Sequence, residues 1–323
     1  MHIWITALFL VFIIVPQATA ATDDVEANKA LVRRPLEEAY NKGNLDVMDE
    51  IYAADYSWPV DNPVVHGAAE AKQHVAIVRA AFPDIHITAE DIIAEGDKAV
   101  VRWTIVATHK GEFMGIPPTG KQVTGTGIIT SRIADGKIAG DWENSDQLGL
   151  MQQLGVYPPT PGGLPCMDRE GEDFQWGDPS EVTGTPGDPE ANKAVYRRLL
   201  EEVFIQGNMD AMDELISADL VNHDPLWPDV TDFESLKQWI TMMADAASDD
   251  QEITIDDLIA EGDKVAGRWT TKFTDPTTGT HVKVTGVDII RIADGKVVEW
   301  WWSKDYLGLL QKLGVIPTPG QKE

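Results

Sequence analysis

The chain has 323 residues, with 53 acidic and 26 basic side chains and a formal net charge of −27 at pH 7. A field of this sign repels phosphate backbones and anionic lipid surfaces, which argues against nucleic acid or a membrane surface as a partner. Hydrophobic residues make up 43% of the chain, and together with the length this fraction predicts two folded domains of ordinary size.

Residues 1–20 differ from the rest of the chain. The segment Ile3–Val15 is apolar except for Thr6, and Ala18–Ala20 supplies a small-x-small motif. We expect residues 1–20 to be a signal peptide, because the apolar run is too short to span a bilayer comfortably. An uncleaved anchor is the alternative. The expected location is secreted or periplasmic, with no membrane association after cleavage.

The same motifs occur twice along the chain. Ala94–Lys98 returns as Ala260–Lys264, and Arg102–Thr104 returns as Arg268–Thr270. The repeat is far longer than the 20–50 residues typical of solenoids. The chain is therefore a duplication, with domain 1 at 24–156 and domain 2 at 190–316.

The two domains are joined by residues 157–189, which are rich in proline and glycine. Proline fixes φ and removes a backbone donor, so this segment is predicted to be an irregular linker. It contains Cys166, the only cysteine of the chain, which excludes an intramolecular disulfide.

Each copy begins with helix-forming sequence. Apolar spacing predicts a first helix over 25–41 that ends before Gly43, and Val195, Leu199 and Val203 predict its counterpart before Gly207. Two more helices are predicted in each copy, over 46–52 and 68–81, and over 210–216 and 233–246.

Strand-forming sequence follows. β-Branched segments flank Gly96-Asp97 and Asp135-Gly136 in domain 1, and the equivalent pairs in domain 2, which predicts two β-hairpins per copy. A last helix is predicted over 146–154 and over 305–313. Helices followed by a meander predict the α+β class, with helices on one face of a curved antiparallel sheet that encloses a small-ligand pocket.

These motifs carry a family resemblance. The Gly-Asp-Lys turn, the Arg-Trp-Thr strand, the segment Thr108–Gly120 and the ending Asp146–Gly155 resemble the SnoaL-like polyketide cyclase, or ester cyclase, family of the NTF2-like superfamily. The resemblance implies two tandem NTF2-like cones, each a curved antiparallel sheet packed against N-terminal helices. Such cones serve both enzymes and non-catalytic binders, so the fold alone does not decide the reaction.

Asp146 and Asp305 occupy equivalent positions in the two copies. The resemblance implies that an aspartate near this point is the general acid/base of an aldol ring closure. Burial in an apolar cone would raise its pKa toward the working pH. The alternative is a helix N-cap, because each aspartate stands two residues before a Leu-Gly-Leu segment that is predicted to be helical.

Further candidates for the pocket are polar residues at strand ends. Asn222 and His223 stand where the family often has a pocket histidine, although Asn-His-Asp-Pro is also a typical turn sequence. His109 precedes an apolar loop and lies either at the pocket mouth or exposed at a strand end. That loop either covers the cone or packs against a partner.

The hairpin strands supply the remaining candidates. Trp142 and Trp301 are equivalent, as are Arg132 and Arg291, and we predict that all four line the pockets. In domain 2 a run of three tryptophans includes Trp301, so one face of that strand is expected to line the cone and the other to meet a second sheet.

The prediction for function is a cone that binds a small apolar carbonyl compound, with aspartate acid/base chemistry. The alternative is a non-catalytic ligand-binding or scaffold protein. No metal or cofactor is expected, because the sequence lacks HExxH, P-loop, G-x-S-x-G and GxGxxG motifs. The domains are expected to form an intramolecular pseudo-dimer, and further homo-oligomerisation stays open.

Overall fold

The computed structural model of the protein describes residues 20–59, 64–157, 187–224, 227, 229–245, 248 and 250–317. The predicted signal peptide, apart from Ala20, and most of the predicted linker lie outside these residues. Within the described ranges, no helix is long and apolar enough to cross a membrane.

Domain 1 opens with helices and closes with a six-stranded sheet. Its elements in chain order are α1 Ala20–Arg34 and its π-helical continuation Pro35–Asn41, α2 Val47–Ile51, β1 Tyr52–Trp58, β2 Val65–His66, α3 Gly67–Ala81, β3 His86–Glu95, β4 Lys98–Thr108, β5 Gln122–Ala134, β6 Lys137–Ser145 and α4 Gln147–Leu154.

Domain 2 repeats this order with five strands. Its elements are α5 Pro189–Arg198 and its π-helical continuation Leu199–Ile205, α6 Met209–Leu215, β7 Ile216–His223, α7 Phe233–Asp245, β8 Glu252–Glu261, β9 Lys264–Thr274, β10 His281–Ala293, β11 Lys296–Lys304 and α8 Tyr306–Lys312.

The sheets confirm the α+β class and add one feature. The strand orders are β2-β1-β6-β5-β4-β3 and β7-β11-β10-β9-β8, with antiparallel hairpins at the predicted turns. The strands β1 and β7, which the sequence analysis did not predict, pair in parallel with β6 and β11. Each sheet is therefore mixed, because the chain returns from the helices to the far edge of the meander.

Each sheet curves around its own helices. The ladders are interrupted between Arg132 and Ile133 and between Arg291 and Ile292, and such bulges bend a strand. The concave side holds the main core of each domain, where Met48, Ile51 and Val75 pack in domain 1. The cone is therefore formed by the sheet on one side and the helices on the other.

A tryptophan lies flat against a glycine inside each cone. A Cβ on Gly127 would lie 2.3 Å from Trp103 Cζ2, and a Cβ on Gly286 would lie 2.2 Å from Trp269 Cζ2. The indole of the Arg-Trp-Thr strand therefore fits only because the neighbouring strand carries glycine at this position.

The outer faces of the two sheets pack against each other. A buried cluster contains residues of both domains, namely Ile93, Val100 and Ile128 with Ile259, Ala266, Val287, Ile289 and Trp301. Ion pairs across the contact come in reciprocal sets. In the first set, Lys29 pairs with Glu261 and the equivalent Lys193 pairs with Glu95. In the second set, Lys98 pairs with Asp257 and the equivalent Lys264 pairs with Asp91.

Candidate functional site

Domain 1 carries two carboxyl groups inside its cone. After the bulge in β6, the alternation of side chains directs Asp141 and Glu143 toward the helices, while Trp142 points to the opposite face. Both carboxyls line a small cavity with the aromatic side chains of Tyr40, Tyr52, Tyr56, Trp58 and His74. This polar cluster is surrounded by the apolar core of the domain.

Asp141 is held by two hydroxyl groups. Tyr56 Oη donates a hydrogen bond to Asp141 Oδ2 at 2.8 Å, and Ser131 Oγ donates to Oδ1 at 2.6 Å. Burial raises the pKa of Asp141 to about 6, and the hydrogen bonds from Ser131 and Tyr56 oppose this rise. Asp141 is therefore a fixed carboxyl that is mostly ionised at neutral pH.

Glu143 is the better-placed base. Burial raises its pKa to about 7, the nearby charge of Asp141 adds to the rise, and a hydrogen bond with Trp58 opposes it. A general base is most effective when its pKa lies near the working pH. Glu143 also lines a larger cavity of about 580 Å³ that opens from the cone, so it faces space that a ligand can enter.

Asp146 is both a cap and a cavity residue. Its Oδ1 accepts a hydrogen bond from the Gly149 backbone N–H at 2.8 Å, as the N-cap of α4. Burial raises the pKa of Asp146 to about 6, with a smaller contribution from the charge of Asp224, and the bond from Gly149 opposes the rise. The carboxyl lines the same cavity as Glu143, so the two roles considered for Asp146 are compatible.

Asp305 caps α8 in the same way, accepting from Gly308 N at 2.8 Å. It does not occupy a separate site, because it lines the same large cavity as Asp146 together with Arg268 and Thr285. The two equivalent aspartates predicted for two cones therefore border one space, formed by the cone mouth of domain 1 and the adjoining surface of domain 2.

The cone of domain 2 is filled differently. Trp300 and Trp302 stand where domain 1 has Asp141 and Glu143, and their rings stack at 4.2 Å with an interplanar angle of 15°. Their indole N–H groups donate to Asp288 Oδ2 at 2.8 Å and to Asn222 Oδ1 at 2.7 Å. Asn222 therefore positions Trp302. An apolar cavity of about 220 Å³ remains beside these rings.

His223, Trp301 and Arg291 do not line this cone, contrary to the sequence analysis. The rings of His223 and Trp301 stack at 5.3 Å, with an interplanar angle of 9°, on the face toward domain 1. His223 Nε2 lies 3.0 Å from Glu299 Oε1, and Arg291 donates to Glu299 Oε2 at 2.8 Å. His223 is the last residue of the strand β7, and Pro225 of the turn considered for it lies outside the described residues.

Trp142 is stacked beneath Arg268 of domain 2, with 4.5 Å between the guanidinium and the ring centroid. The indole borders the large cavity from outside the cone. In domain 1, Arg132 of β5 lies opposite Gly140 of β6. In domain 2, the equivalent Arg291 of β10 lies opposite Glu299 of β11. The arginine and tryptophan candidates thus belong to the outer faces of the two sheets, which pack against each other.

His109 is fully buried rather than exposed. Its Nδ1 accepts a hydrogen bond from Thr119 N at 3.2 Å, and its ring lies 5.2 Å from that of Phe82. It holds both ends of the apolar loop, whose Phe113 and Ile116 pack in a cluster with residues of both domains. This loop packs against residues of domain 2, and Phe113 also borders the large cavity.

The described residues contain no group of three or more His, Cys, Asp or Glu side chains that could hold a metal ion. The chemistry that the arrangement supports is proton transfer by carboxyls, with hydroxyl and indole groups as hydrogen-bond donors. Trp103 Nε1 is one such donor, buried and without a hydrogen-bond partner among the described residues.

Comparison with known proteins agrees with this architecture. The family model described as SnoaL-like polyketide cyclase matches residues 30–154, and the model described as SnoaL-like domain matches residues 196–300. Aklanonic acid methyl ester cyclase DnrD of Streptomyces peucetius is 33% identical over 137 residues, which are 41% of this chain and 94% of that protein. The chain belongs to the SnoaL-like family.

Two further relatives show the same coverage of one domain. Nogalonic acid methyl ester cyclase of Streptomyces nogalater is 31% identical over 131 residues, 39% of this chain and 98% of that protein. The solved structure of TsrD from Streptomyces laurentii shares 32% identity and covers 41% of this chain and 97% of that chain, with a TM-score of 0.39. The two family-model matches together show that the present protein is a tandem of two SnoaL-like domains.

Sequence reasoning missed the pair Asp141 and Glu143. The signal present in the sequence is that both alternate along a predicted strand at the positions of Trp300 and Trp302. This alternation does not say which face of the strand lines the cone.

Proposed function

We propose that domain 1 binds a small apolar carbonyl compound and catalyses an aldol-type ring closure by acid/base chemistry. The observation that carries the proposal is Glu143, a carboxyl with a pKa of about 7 that lines both the cone interior and the large cavity. A volume of about 580 Å³ lies within the range of ordinary small-molecule sites.

The proposed reaction needs only proton transfers. Glu143 removes a proton from the carbon next to a carbonyl, and the negative charge moves to the carbonyl oxygen. The resulting enolate carbon attacks a second carbonyl carbon of the same molecule, so one C–C bond forms. The new alkoxide then takes the proton that Glu143 now carries, relayed through Asp146 at the same cavity, so both carboxyls return to their starting states.

Hydrogen-bond donors support the enolate. Trp103 Nε1 is buried in the cavity wall, and a carbonyl oxygen of the ligand would give it an acceptor. Such a donor is worth more in a site with little water, because the charge that develops has no other partner. Asp141, fixed by Tyr56 and Ser131, sets the electrostatic environment of Glu143.

Domain 2 has a supporting role in this reaction. Its cone has indole rings in place of the carboxyl pair, whereas Arg268, Thr285 and Asp305 complete the wall of the large cavity. We infer that the two domains act as an intramolecular pseudo-dimer, which the reciprocal ion pairs support. We also propose that the protein is exported, on the basis of residues 1–20 alone.

The alternative is a ligand-binding protein without turnover. It is favoured by one observation, the capping hydrogen bonds that Asp146 and Asp305 make to Gly149 and Gly308. Under this alternative the carboxyls only shape the cavity, and removing their charge would alter binding without altering any reaction.

The test uses aklanonic acid methyl ester, the compound named for one relative, with product formation followed by chromatography. Glu143→Gln should lower the rate by about 10² to 10⁴, the usual contribution of a general base. Glu37→Gln, at an exposed site on the π-helical continuation of α1, serves as the matched control. Ring closure that proceeds equally fast in Glu143→Gln would overturn the proposal.

If the wild-type protein does not cyclise this ester, exchange of its α-protons with D₂O, followed by NMR, tests the first step alone. Binding detected by tryptophan fluorescence together with no exchange would favour the non-catalytic alternative.

A further inference from the structure

The cone of domain 2 contains an amine in an aromatic enclosure. Lys304, the last residue of β11, lines the 220 Å³ cavity, and its side chain is only 8% exposed. Its Nζ lies 4.0 Å from the ring centroid of Trp302, 4.8 Å from that of Trp239 and 5.4 Å from that of Tyr306. Among the described residues that line this cavity, Lys304 is the one with a charged side chain.

Two polar groups accompany the amine. Lys304 Nζ lies 3.1 Å from Tyr306 Oη and 3.5 Å from Asp224 Oδ2, and Tyr306 Oη donates to the same oxygen at 3.3 Å. The distance to Asp224 is long for a charge-assisted hydrogen bond, which is usually 2.7–2.9 Å. The carboxylate is therefore near the amine without being tightly bonded to it.

The pKa of Lys304 lies below the ordinary value for lysine. Burial lowers the pKa of Lys304, whereas the charges of Asp224 and Asp288 and the hydrogen bond to Asp224 oppose the lowering. A lysine in an apolar pocket has a larger fraction of its amine free to act as a nucleophile. The fold itself does not require a lysine here, because domain 1 has Ser145 at the equivalent strand end.

We propose that Lys304 forms an imine with a small apolar aldehyde or ketone bound in the cone of domain 2. The aromatic and aliphatic walls, among them Phe204, Ile240 and Trp269, fit an apolar substituent on the carbonyl carbon. Imine formation uses none of the carboxyls of domain 1, although the charge of Asp224 also contributes to the raised pKa of Asp146.

The reaction balances with the groups present. The Nζ lone pair attacks the carbonyl carbon, a C–N bond forms, and the carbonyl oxygen takes the proton that the nitrogen loses. The carbinolamine then loses this oxygen as water, with a proton supplied through Tyr306 and Asp224, and the C=N bond forms as the nitrogen gives up its second proton. The products are an imine and one water molecule, so no oxidant or cofactor is needed.

The experiment traps the imine on the folded, full-length chain. Butanal and sodium cyanoborohydride are added at pH 6, and proteolytic peptides are analysed by mass spectrometry for butyl-lysine. The Lys304 peptide should be modified faster than the peptides of the exposed lysines, since a lowered pKa raises the neutral fraction of the amine. The exposed Lys272 is the internal reference, with its side chain 57% exposed.

Variants separate reactivity from folding. Lys304→Met should abolish the fast modification, whereas Lys272→Met should leave it unchanged. Tyr306→Phe should slow it, because it removes the hydroxyl group that lies 3.1 Å from Lys304 Nζ and relays the proton. Circular dichroism checks that each variant is folded. If Lys304 in the wild-type protein reacts no faster than the surface lysines, the proposal is wrong, and the lysine is only an ion-pair partner of Asp224.

Discussion

The guanidinium of Arg268 in domain 2 lies over the indole of Trp142 in domain 1, 4.5 Å from the ring centroid. The equivalent residues repeat this contact in the opposite direction, with Arg102 of domain 1 lying 4.8 Å from the centroid of Trp301 in domain 2. A contact that returns with its partners exchanged is the property of a two-fold interface. Here both halves belong to one chain.

The first prediction concerns this contact. Arg268→Ala should lower the free energy of unfolding by about 1–2 kcal/mol, because a desolvated cation–π contact is lost. The loss of the ion pair with Asp257 acts in the same direction. Urea denaturation followed by fluorescence measures the change.

The control is Arg198→Ala, an arginine that is 48% exposed and pairs with Glu202 on the surface. Its effect should be much smaller than that of Arg268→Ala, because exposed ion pairs contribute little to stability. Equal effects of the two substitutions would contradict the importance of the arginine–tryptophan contact.

The second prediction concerns the hydroxyl that holds Asp141. Tyr56→Phe removes a hydrogen bond to the ionised carboxyl, so the pKa of Asp141 should rise above its value of about 6. Carboxyl ¹³C chemical shifts followed through a pH titration measure this directly. Tyr157→Phe, which removes a hydroxyl that donates to the Pro317 carbonyl, should leave the titration unchanged.

The third prediction concerns the pH dependence of stability. Burial raises the pKa of Asp288 to about 6 from an ordinary 3.8, and the hydrogen bonds from Tyr196 and Trp300 oppose the rise. The neutral carboxyl therefore favours the fold below about pH 4, and this contribution is lost as the pH rises through about 6.

In the wild-type protein, Asp288 should lower the unfolding free energy by up to about 3 kcal/mol between pH 4 and pH 6. Asp288→Asn should remove this decrease. Urea denaturation at several pH values tests it. An unchanged slope in the variant would show that another group causes the dependence.

The fourth prediction concerns the glycine beneath the indole. Gly127→Ala should destabilise domain 1 by about 1–3 kcal/mol, because a Cβ would lie 2.3 Å from Trp103 Cζ2 and the ring has to move. Gly125→Ala on the same strand is the matched control, since its nearest neighbour is the flexible side chain of Ile105 at 3.1 Å. Thermal unfolding compares the two, and a similar loss in both would mean that strand propensity alone is responsible.

Much of the fold could be predicted from short sequence patterns. The helices, the hairpins and the duplication follow from apolar spacing and from Gly-Asp or Asp-Gly pairs, which act over a few residues. The strands β1 and β7 were missed because their pairing with β6 and β11 joins distant parts of the chain. Nothing in a short sequence window specifies such a parallel edge.

The site was less predictable than the fold. Alternation along β6 separates Trp142 from Asp141 and Glu143, but it does not say which set faces the cone. A tryptophan normally suggests the interior, and here the outer face is also an interior because domain 2 covers it. The choice of face depends on the other domain, which the local sequence of β6 does not encode.

The covalent link between the two domains allows the sequences of the two cones to diverge. In a dimer of identical subunits every substitution appears twice, so a cone filled by Trp300 and Trp302 would appear in both halves and remove both carboxyl pairs. A single chain that supplies both halves always combines them one to one, without depending on concentration. One half can therefore specialise as a partner while the other retains its acids, and a change in either leaves their stoichiometry fixed.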